Sequence, residues 1–387
     1  MGSTATDWDA VVVGGGPAGS TCAGRLRGAG LNVLILDKQS FPRDKTCAGW
    51  VTPQVFETLG IDPQDYAATP ATAGEGCQSP RTLQPITGFR TGLIGGAPIE
   101  THYGRIVSYG IRRCEFDDVL LRRSGAATQL GRALKSCTRH GDAWTINDGL
   151  RTPLLIGAGG HFCPVARRQG AREVPGTSVV AAQEIEFAPA ARELEQCGAQ
   201  GAVPELYFCN DLKGYGWCFR KGAYLNIGLG RVDGTRVAEH VAAFCDYLRE
   251  IGSVTCEIPK GFHGHAYQLY ERTQPRLVDD GVLLIGDAAG LAYPQSGEGI
   301  RPAVESAILA AQAVIGAGGN YSRAGLGPYA VSVQERFGTP RRRSAADWLP
   351  ASWLRFAAAR LMTNHAIARR VVIDRWFLHA QQPALRA

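Results

Sequence analysis

Apolar residues fall along this chain in two patterns. Short unbroken runs such as Ala10-Val11-Val12-Val13, Val33-Leu34-Ile35-Leu36 and Val282-Leu283-Leu284-Ile285 contain no polar member. That is the signature of strands covered on both faces. Val179 to Phe187 and Tyr224 to Arg231 also read as strands, by their apolar and β-branched content. In Tyr215-Gly216-Trp217-Cys218-Phe219 the rings alternate, so on a strand they share one face. A helical period governs Val237 to Ile251, with Val241, Phe244, Leu248 and Ile251 apolar. An Ala-rich helix is predicted from Ile300 to about Val314. Ala67 to Arg105 is turn-rich. After Tyr321 the chain turns helical again, and its end mixes Trp348, Trp353, Leu354, Phe356, Leu361, Val371, Ile373, Trp376 and Phe377 with arginines.

The turn between the first strand and its helix is Gly14-Gly15-Gly16-Pro17-Ala18-Gly19, a G-x-G-x-x-G, and Asp37 closes the second strand. Gly14 permits the tight turn, Gly16 lets the backbone approach a pyrophosphate, and Gly19 lets helix and strand pack closely. The helix N-terminus offers free N–H groups and a positive dipole end to phosphates. Asp37 is placed to accept hydrogen bonds from an adenosine ribose. Strand, turn, helix, strand and acid together predict a dinucleotide site.

Far downstream, Gly281 to Gly290 reads as a buried strand ending in Gly286-Asp287, followed by Pro294-Gln295-Ser296-Gly297-Glu298-Gly299-Ile300 and the Ala-rich helix. With this second motif the chain resembles the FAD-dependent oxidoreductases of the hydroxylase, halogenase and geranylgeranyl reductase superfamily. The resemblance implies that the Asp287 carboxylate holds the ribityl chain of FAD. It also implies that the helix after Gly299 points its N-terminus at the flavin pyrimidine edge, where its dipole stabilises negative charge. FAD contacts are then expected at Gly14, Gly16, Pro17, Ala18, Gly19, Asp37, Lys38, Lys45, Arg113, Gly286, Asp287, Gly297, Gly299 and Ile300. The implied fold is α/β with α+β elements: a Rossmann-type FAD-binding domain, an antiparallel-sheet substrate domain and C-terminal helices, p-hydroxybenzoate hydroxylase-like.

Further motifs narrow the chemistry. Lys45-Thr46-Cys47-Ala48-Gly49 resembles the K-x-C-G-G segment of geranylgeranyl reductases, with Ala48 at the first glycine. In that family the segment passes beside the flavin ring and its cysteine faces the substrate cavity. Alkene reduction needs a hydride at one carbon and a proton at the other, and a thiol near the ring can supply the proton. Cys47 is therefore the candidate catalytic residue, with a buried structural thiol as the alternative. Tyr215-Gly216-Trp217-Cys218-Phe219-Arg220-Lys221 resembles the reductases' Y-x-W-x-F-P-K, with Arg220 at the proline. The W-x-W-x-I-P of the related halogenases fails at three points. Tyr215, Trp217 and Phe219 are expected to bind substrate as an apolar wall. Arg113, in a segment similar to the family's R-x-x-F-D-x-x-L helix, is expected to reach FAD. Gly159 stands where flavin hydroxylases carry the aspartate of G-A-D-G. No second complete G-x-G-x-x-G unit is present, so transient NAD(P)H or another reductant is left open as electron donor.

The family's organisation implies a discontinuous FAD-binding domain of residues 1–66, 106–168 and 268–320, a substrate-binding domain of 67–105 and 169–267, and a C-terminal helical region of 321–387. The net charge of +6 is spread apart from Arg341-Arg342-Arg343, which gives no reason to expect a nucleic-acid partner. Eleven scattered cysteines with no C-x-x-C argue against a metal or iron–sulfur site. They read as reduced cytosolic thiols. The chain is expected to enter its first strand by Asp9, which leaves no room for a targeting segment, and no apolar run reaches spanning length. Three functions follow in order: reduction of C=C bonds in a hydrophobic isoprenoid-like substrate, an FAD monooxygenase or halogenase acting on an aromatic or carrier-bound metabolite, and electron transfer to quinone. A cytoplasmic protein is expected, with Trp348 to Phe377 either packed as helices on the main domain, an amphipathic pattern soluble helices share, or touching anionic membranes, which its arginines and large apolar residues also suit.

Overall fold

The computed structural model describes residues 7–70, 80–170, 179–270, 276–339 and 364–386. The three fully apolar runs become the centre of one six-stranded sheet. Its order is Val278–Asp279, Val282–Leu284, Leu154–Gly157, Ala10–Val13, Val33–Leu36 and Ala127–Gln129. All neighbours are parallel except the Val278–Asp279 edge. Ala10 lies between Leu154 and Val33 in register, and the four residues of each of these strands are buried. Helices Pro17–Gly28 and Ile300–Gly316 pack on each other over this sheet. The long Ala-rich pattern thus reads as a buried helix, which the structure carries to Gly316.

The second sheet has seven strands: His263–Gln268, Val179–Phe187, Tyr224–Arg231, Gly214–Lys221, Glu205–Phe208, Gly88–Leu93 and Ile99–His102. It is antiparallel as expected, apart from the parallel pair Glu205–Phe208 and Gly88–Leu93. The turn-rich stretch therefore supplies two strands to this sheet and a third, Leu83–Ile86, to a small sheet with Ser108–Ile111 and Trp50–Val51. Gly88, Gly92 and the polar Arg90 and Thr91 hid that pattern. One face of the large sheet is covered by helix Val237–Glu250, where Val241, Phe244 and Leu248 are buried. Ile251 lies past the helix end and is exposed, unlike the other three apolar positions. Gly216 serves this face, because a Cβ there would stand 2.7 Å from the Phe244 ring.

The opposite face, which carries the alternating rings, is covered by Trp50 and by the wide-turn helix Ala368–Phe377 near the C-terminus. After Tyr321 the chain is helical at Arg323–Phe337. Trp348, Trp353, Leu354, Phe356 and Leu361 lie outside the described residues. Among the described residues no helix is long and apolar enough to cross a membrane.

Candidate active site

The fingerprint glycines sit where their missing side chains matter. Gly14 has φ +114°, and a Cβ there would meet the Ala158 carbonyl oxygen at 2.5 Å. A Cβ on Gly19 would lie 1.8 Å from the Gly14 carbonyl oxygen. Gly16 differs, since only Arg43 Nη2 at 3.3 Å and Asp117 Oδ2 at 4.0 Å come near its Cβ position. Helix Pro17–Gly28 begins there with no side-chain cap, with Pro17 in its first turn and Ala18 buried. Uncapped N–H groups at a helix start favour an anion. Arg43 lies across this opening, paired to Asp117 at 3.1 Å, and its Nη1 is buried with no partner among the described residues. Free helix N–H groups, a glycine with space beside it and an orphaned guanidinium donor fit a pyrophosphate. Asp37 is buried, accepting from the Gly15 N–H at 2.7 Å and the Gln39 N–H at 2.8 Å. It thus shapes the turn and retains acceptor capacity. Lys38 is exposed beyond it.

At the same end of the sheet, after strand Val282–Leu284, Gly286–Ala289 forms a short 3-10 turn. Gly286 packs against Ala18 and Ala303. The Asp287 carboxylate stands at the start of helix Ile300–Gly316, 2.9 Å from where Gly299 would carry a Cβ. Around it gather three cationic or titratable groups from three segments. His265 Nε2 lies 3.7 Å away, and Lys45 Nζ lies 3.0 Å from the His265 ring nitrogens. Burial pushes the Asp287 carboxyl up, but His265, Lys45 and Arg113 outweigh it and hold it below the usual carboxylate range. Burial, reinforced by Arg113, brings Lys45 down to about 8. Burial likewise lowers His265, against the pull of Asp287.

Arg113 opens helix Arg113–Arg123 and is spent on two neighbours. It donates twice to Asp117, at 2.8 Å each, and its guanidinium lies against the Cys47 thiol. Cys47 is half-buried, and the Gly49 N–H donates to its Sγ at 3.4 Å. The structure therefore brings together Cys47, Lys45, Arg113 and Asp287, with Gly299 beside Asp287 and Gly297 under Tyr267.

The ring wall differs from expectation. Trp217 and Phe219 are buried, Trp50 stands edge-on to Phe219 at 6.3 Å, and Phe377 meets Tyr215 at 5.3 Å. Trp217 Nε1 donates to Asn226 Oδ1 at 2.8 Å. The Tyr215 hydroxyl donates to the Ser296 carbonyl. The three rings share one face, but that face is filled by Phe377 and Trp50 rather than left open. Sequence reasoning also passed over Arg43, Glu184, Asn226 and Lys221. The signal for Glu184 was present: with Glu186 it interrupts the apolar alternation of a strand, a costly place for carboxylates without partners.

A family model for NAD(P)-binding Rossmann-like domains matches residues 12–51. Over 331 residues the chain is 31% identical to geranylgeranyl diphosphate reductase from Rhodobacter capsulatus, covering 80% of this chain and 75% of that protein. It is 29% identical over 343 residues to menaquinone reductase from Mycobacterium tuberculosis, covering 79% and 76%. A solved geranylgeranyl bacteriochlorophyll reductase-like protein from Thermoplasma acidophilum superimposes with a TM-score of 0.75 at 19% identity, over 97% of this chain and 98% of that one. At that identity the likeness bears on fold alone. A Rossmann sheet, a dinucleotide cradle and a second sheet over it define a flavoprotein oxidoreductase. The chain belongs to the geranylgeranyl reductase-like family of FAD-dependent oxidoreductases.

Proposed function

We propose that the protein reduces carbon–carbon double bonds in a hydrophobic, isoprenoid-like substrate. The observation that carries this reading is the position of Cys47, where a thiol meets Arg113 beside Asp287 at the seam of the two sheets. Gly14, Gly16, Pro17, Ala18, Gly19 and Arg43 would hold the pyrophosphate of FAD, Asp37 and Lys38 its ribose end, and Asp287 its ribityl chain. Lys45, Arg113, Gly286, Gly297, Gly299 and Ile300 would flank the ring system. Reduced FAD supplies the hydride. Cys47 Sγ donates the proton to the second carbon, and the sulfur left behind faces the Gly49 N–H and the Arg113 guanidinium. Tyr215, Trp217 and Phe219 would back an apolar wall whose front is Trp50 and Phe377, against which the chain would lie. Relatives named for geranylgeranyl diphosphate and for menaquinone support a polyprenyl chain.

The same reading divides the chain into residues 1–66, 106–168 and 268–320 for FAD, 67–105 and 169–267 for substrate, and 321–387 at the C-terminus. It includes peripheral contact with anionic membrane near the C-terminus, where Arg369, Arg370 and Arg375 are exposed while Ile373 and Phe377 are buried on the sheet. Flotation with anionic liposomes at low salt tests that contact, and its absence there ends it.

Anaerobic mixing of the reduced enzyme with geranylgeranyl diphosphate tests the function. Flavin reoxidation with a product two hydrogens heavier per turnover is expected. Cys47→Ala should slow that step roughly 10²–10⁴-fold with FAD retained. Reoxidation only with oxygen, giving an oxygenated or halogenated product, overturns the reductase reading.

A further inference from the structure

The face that carries Tyr215, Trp217 and Phe219 continues, two residues on, to Lys221. In register, Phe219 stands opposite Asn226, and Asn226 opposite Glu186. Opposed residues of antiparallel strands share a face, as do alternate residues along one strand. Glu184, Glu186, Asn226 and Lys221 therefore stand on the ring face. Glu184, Asn226 and Lys221 are buried, at 4%, 0% and 1% exposure, which sets a polar cluster where a plain sheet core would carry apolar side chains.

These side chains hold one loop. The Cys47 N–H donates to Glu184 Oε2 at 2.8 Å, and Asn226 Nδ2 donates to the Cys47 carbonyl at 3.2 Å. Asn226 Nδ2 also donates to Glu184 Oε1 at 2.7 Å, and its Oδ1 accepts from Trp217 Nε1 at 2.8 Å. Lys221 Nζ donates to the Ala48 and Ile111 carbonyls at 3.0 Å each and pairs with Glu186 at 2.5 Å. The Ile111 N–H closes the set by donating to the Gly49 carbonyl at 2.7 Å. Loop peptides ordinarily turn to water. Here the peptide groups of Cys47, Ala48 and Gly49 are bound by fixed partners, most of them side chains of the sheet.

We infer that Glu184 and Asn226 are positioning residues, which set the Cys47 thiol through its own backbone and tie that setting to Trp217 in the ring wall. The inference rests on the reading of Cys47 as proton donor. The chain of contacts from Trp217 to Asn226 to Glu184 to Cys47 is unbroken, so a shift at the Trp217 ring is felt at the Cys47 peptide.

Burial pushes Glu184 up to about 7 against the pull of Lys221, so its charge changes near neutral pH. Lys221 faces it from the ring strand, Glu186 along its own strand, and Asp44 and Cys47 from the loop. His263 stands opposite it on the edge strand. An ionised Glu184 sets a negative charge beside the Cys47 loop, and a like charge disfavours an anion formed next to it.

Alkylation of Cys47 by iodoacetamide in the FAD-loaded protein, followed by the mass of its peptide from about pH 6 to 9, tests this. The wild-type profile should show a step near pH 7, where the Glu184 charge changes. Glu184→Gln should erase the step and alkylate roughly three- to tenfold faster at pH 8, the effect of a like charge removed. Asn226→Ala should slow single-turnover reoxidation by geranylgeranyl diphosphate roughly tenfold, leaving KM and FAD content unchanged. Superimposable alkylation profiles in wild type and Glu184→Gln overturn the inference. If neither variant folds, a wild-type profile without the step overturns it. If Cys47→Ala leaves turnover untouched while the Glu184→Gln alkylation difference persists, the proton-donor reading falls and the positioning stands.

Discussion

The Tyr215 hydroxyl donates to the carbonyl of Ser296, joining the ring strand to the turn that precedes helix Ile300–Gly316. Tyr267, from the edge strand, covers the next residue, since a Cβ on Gly297 would lie 2.3 Å from its hydroxyl. Two tyrosines of the seven-stranded sheet thus clamp the turn expected to face the flavin.

Tyr215→Phe keeps the ring against Phe377 and removes only the donor. Ser296 is buried, so its carbonyl loses a partner it cannot replace with bulk water. The expected loss is about 0.5–1.5 kcal/mol in urea unfolding. FAD affinity, read by flavin fluorescence titration, should fall about two- to tenfold as the turn relaxes. Full FAD affinity in a destabilised Tyr215→Phe would show that the turn does not depend on its tyrosine.

Gly16 and Gly19 separate cofactor binding from folding. Gly16 has φ −72°, open to any residue, and a Cβ there meets only the ends of Arg43 and Asp117. Gly16→Ala should therefore fold with a thermal midpoint close to wild type but bind FAD at least tenfold more weakly, because the methyl occupies the approach of the pyrophosphate. Gly19→Ala places a methyl against the Gly14 backbone and should abolish soluble protein. A Gly16→Ala protein that is fully yellow would move the pyrophosphate elsewhere.

The contrast between these glycines was legible in the sequence, because G-x-G-x-x-G between apolar runs fixes geometry over a few residues. The same holds for Gly286-Asp287 after its strand, and for the strand at 179–187 with its apolar and β-branched content. Contacts between distant segments were not legible. Nothing in the sequence near Cys47 announces that its N–H finds Glu184 and its carbonyl Asn226, far along the chain. The alternation of Tyr215, Trp217 and Phe219 revealed a shared face but not what covers it. Phe377 arrives from the far C-terminus to stack on Trp50 at 5.5 Å. The strands at 83–86, 88–93 and 99–102 were masked by Gln84 and Pro85 in the first, by Gly88, Arg90 and Gly92 in the second and by Glu100 and His102 in the third.

Asp287 carries the strongest cofactor prediction. Its carboxylate is held below the usual range by His265, Lys45 and Arg113 despite burial, so it is ionised at neutral pH. Asp287→Ala removes a charged acceptor from the ribityl hydroxyls and leaves Lys45 and His265 without their counter-charge. FAD affinity should drop by about 1.5–3 kcal/mol at pH 7. Since the carboxyl is depressed, its contribution is present above the ordinary carboxylate value of about 3.9 and is lost as pH falls through its lower folded value. The deficit of Asp287→Ala relative to wild type should therefore be constant from pH 5 to 7. A deficit that vanishes already at pH 5 would contradict the depressed carboxyl.

His379 makes a prediction about stability rather than catalysis. It stacks on Tyr293 with ring centres 3.7 Å apart, and its Nε2 is buried with no partner among the described residues. Burial, helped by the Arg301 charge, brings it down to about 4. The unfolded imidazole titrates near 6.5, so between about 6.5 and 4 the unfolded chain takes a proton that the folded one refuses. Stability from this residue is fully present above about 6.5 and is lost as pH falls toward 4, by an amount on the order of 3 kcal/mol. His265 is lowered as well and adds a loss of the same sign. His379→Gln cannot titrate, so its unfolding free energy in urea should decline less steeply than that of wild type across this window. The two should run parallel above pH 7. Parallel curves down to pH 4 would mean that His379 is protonated in the folded state, and that the stack on Tyr293 accommodates the charge.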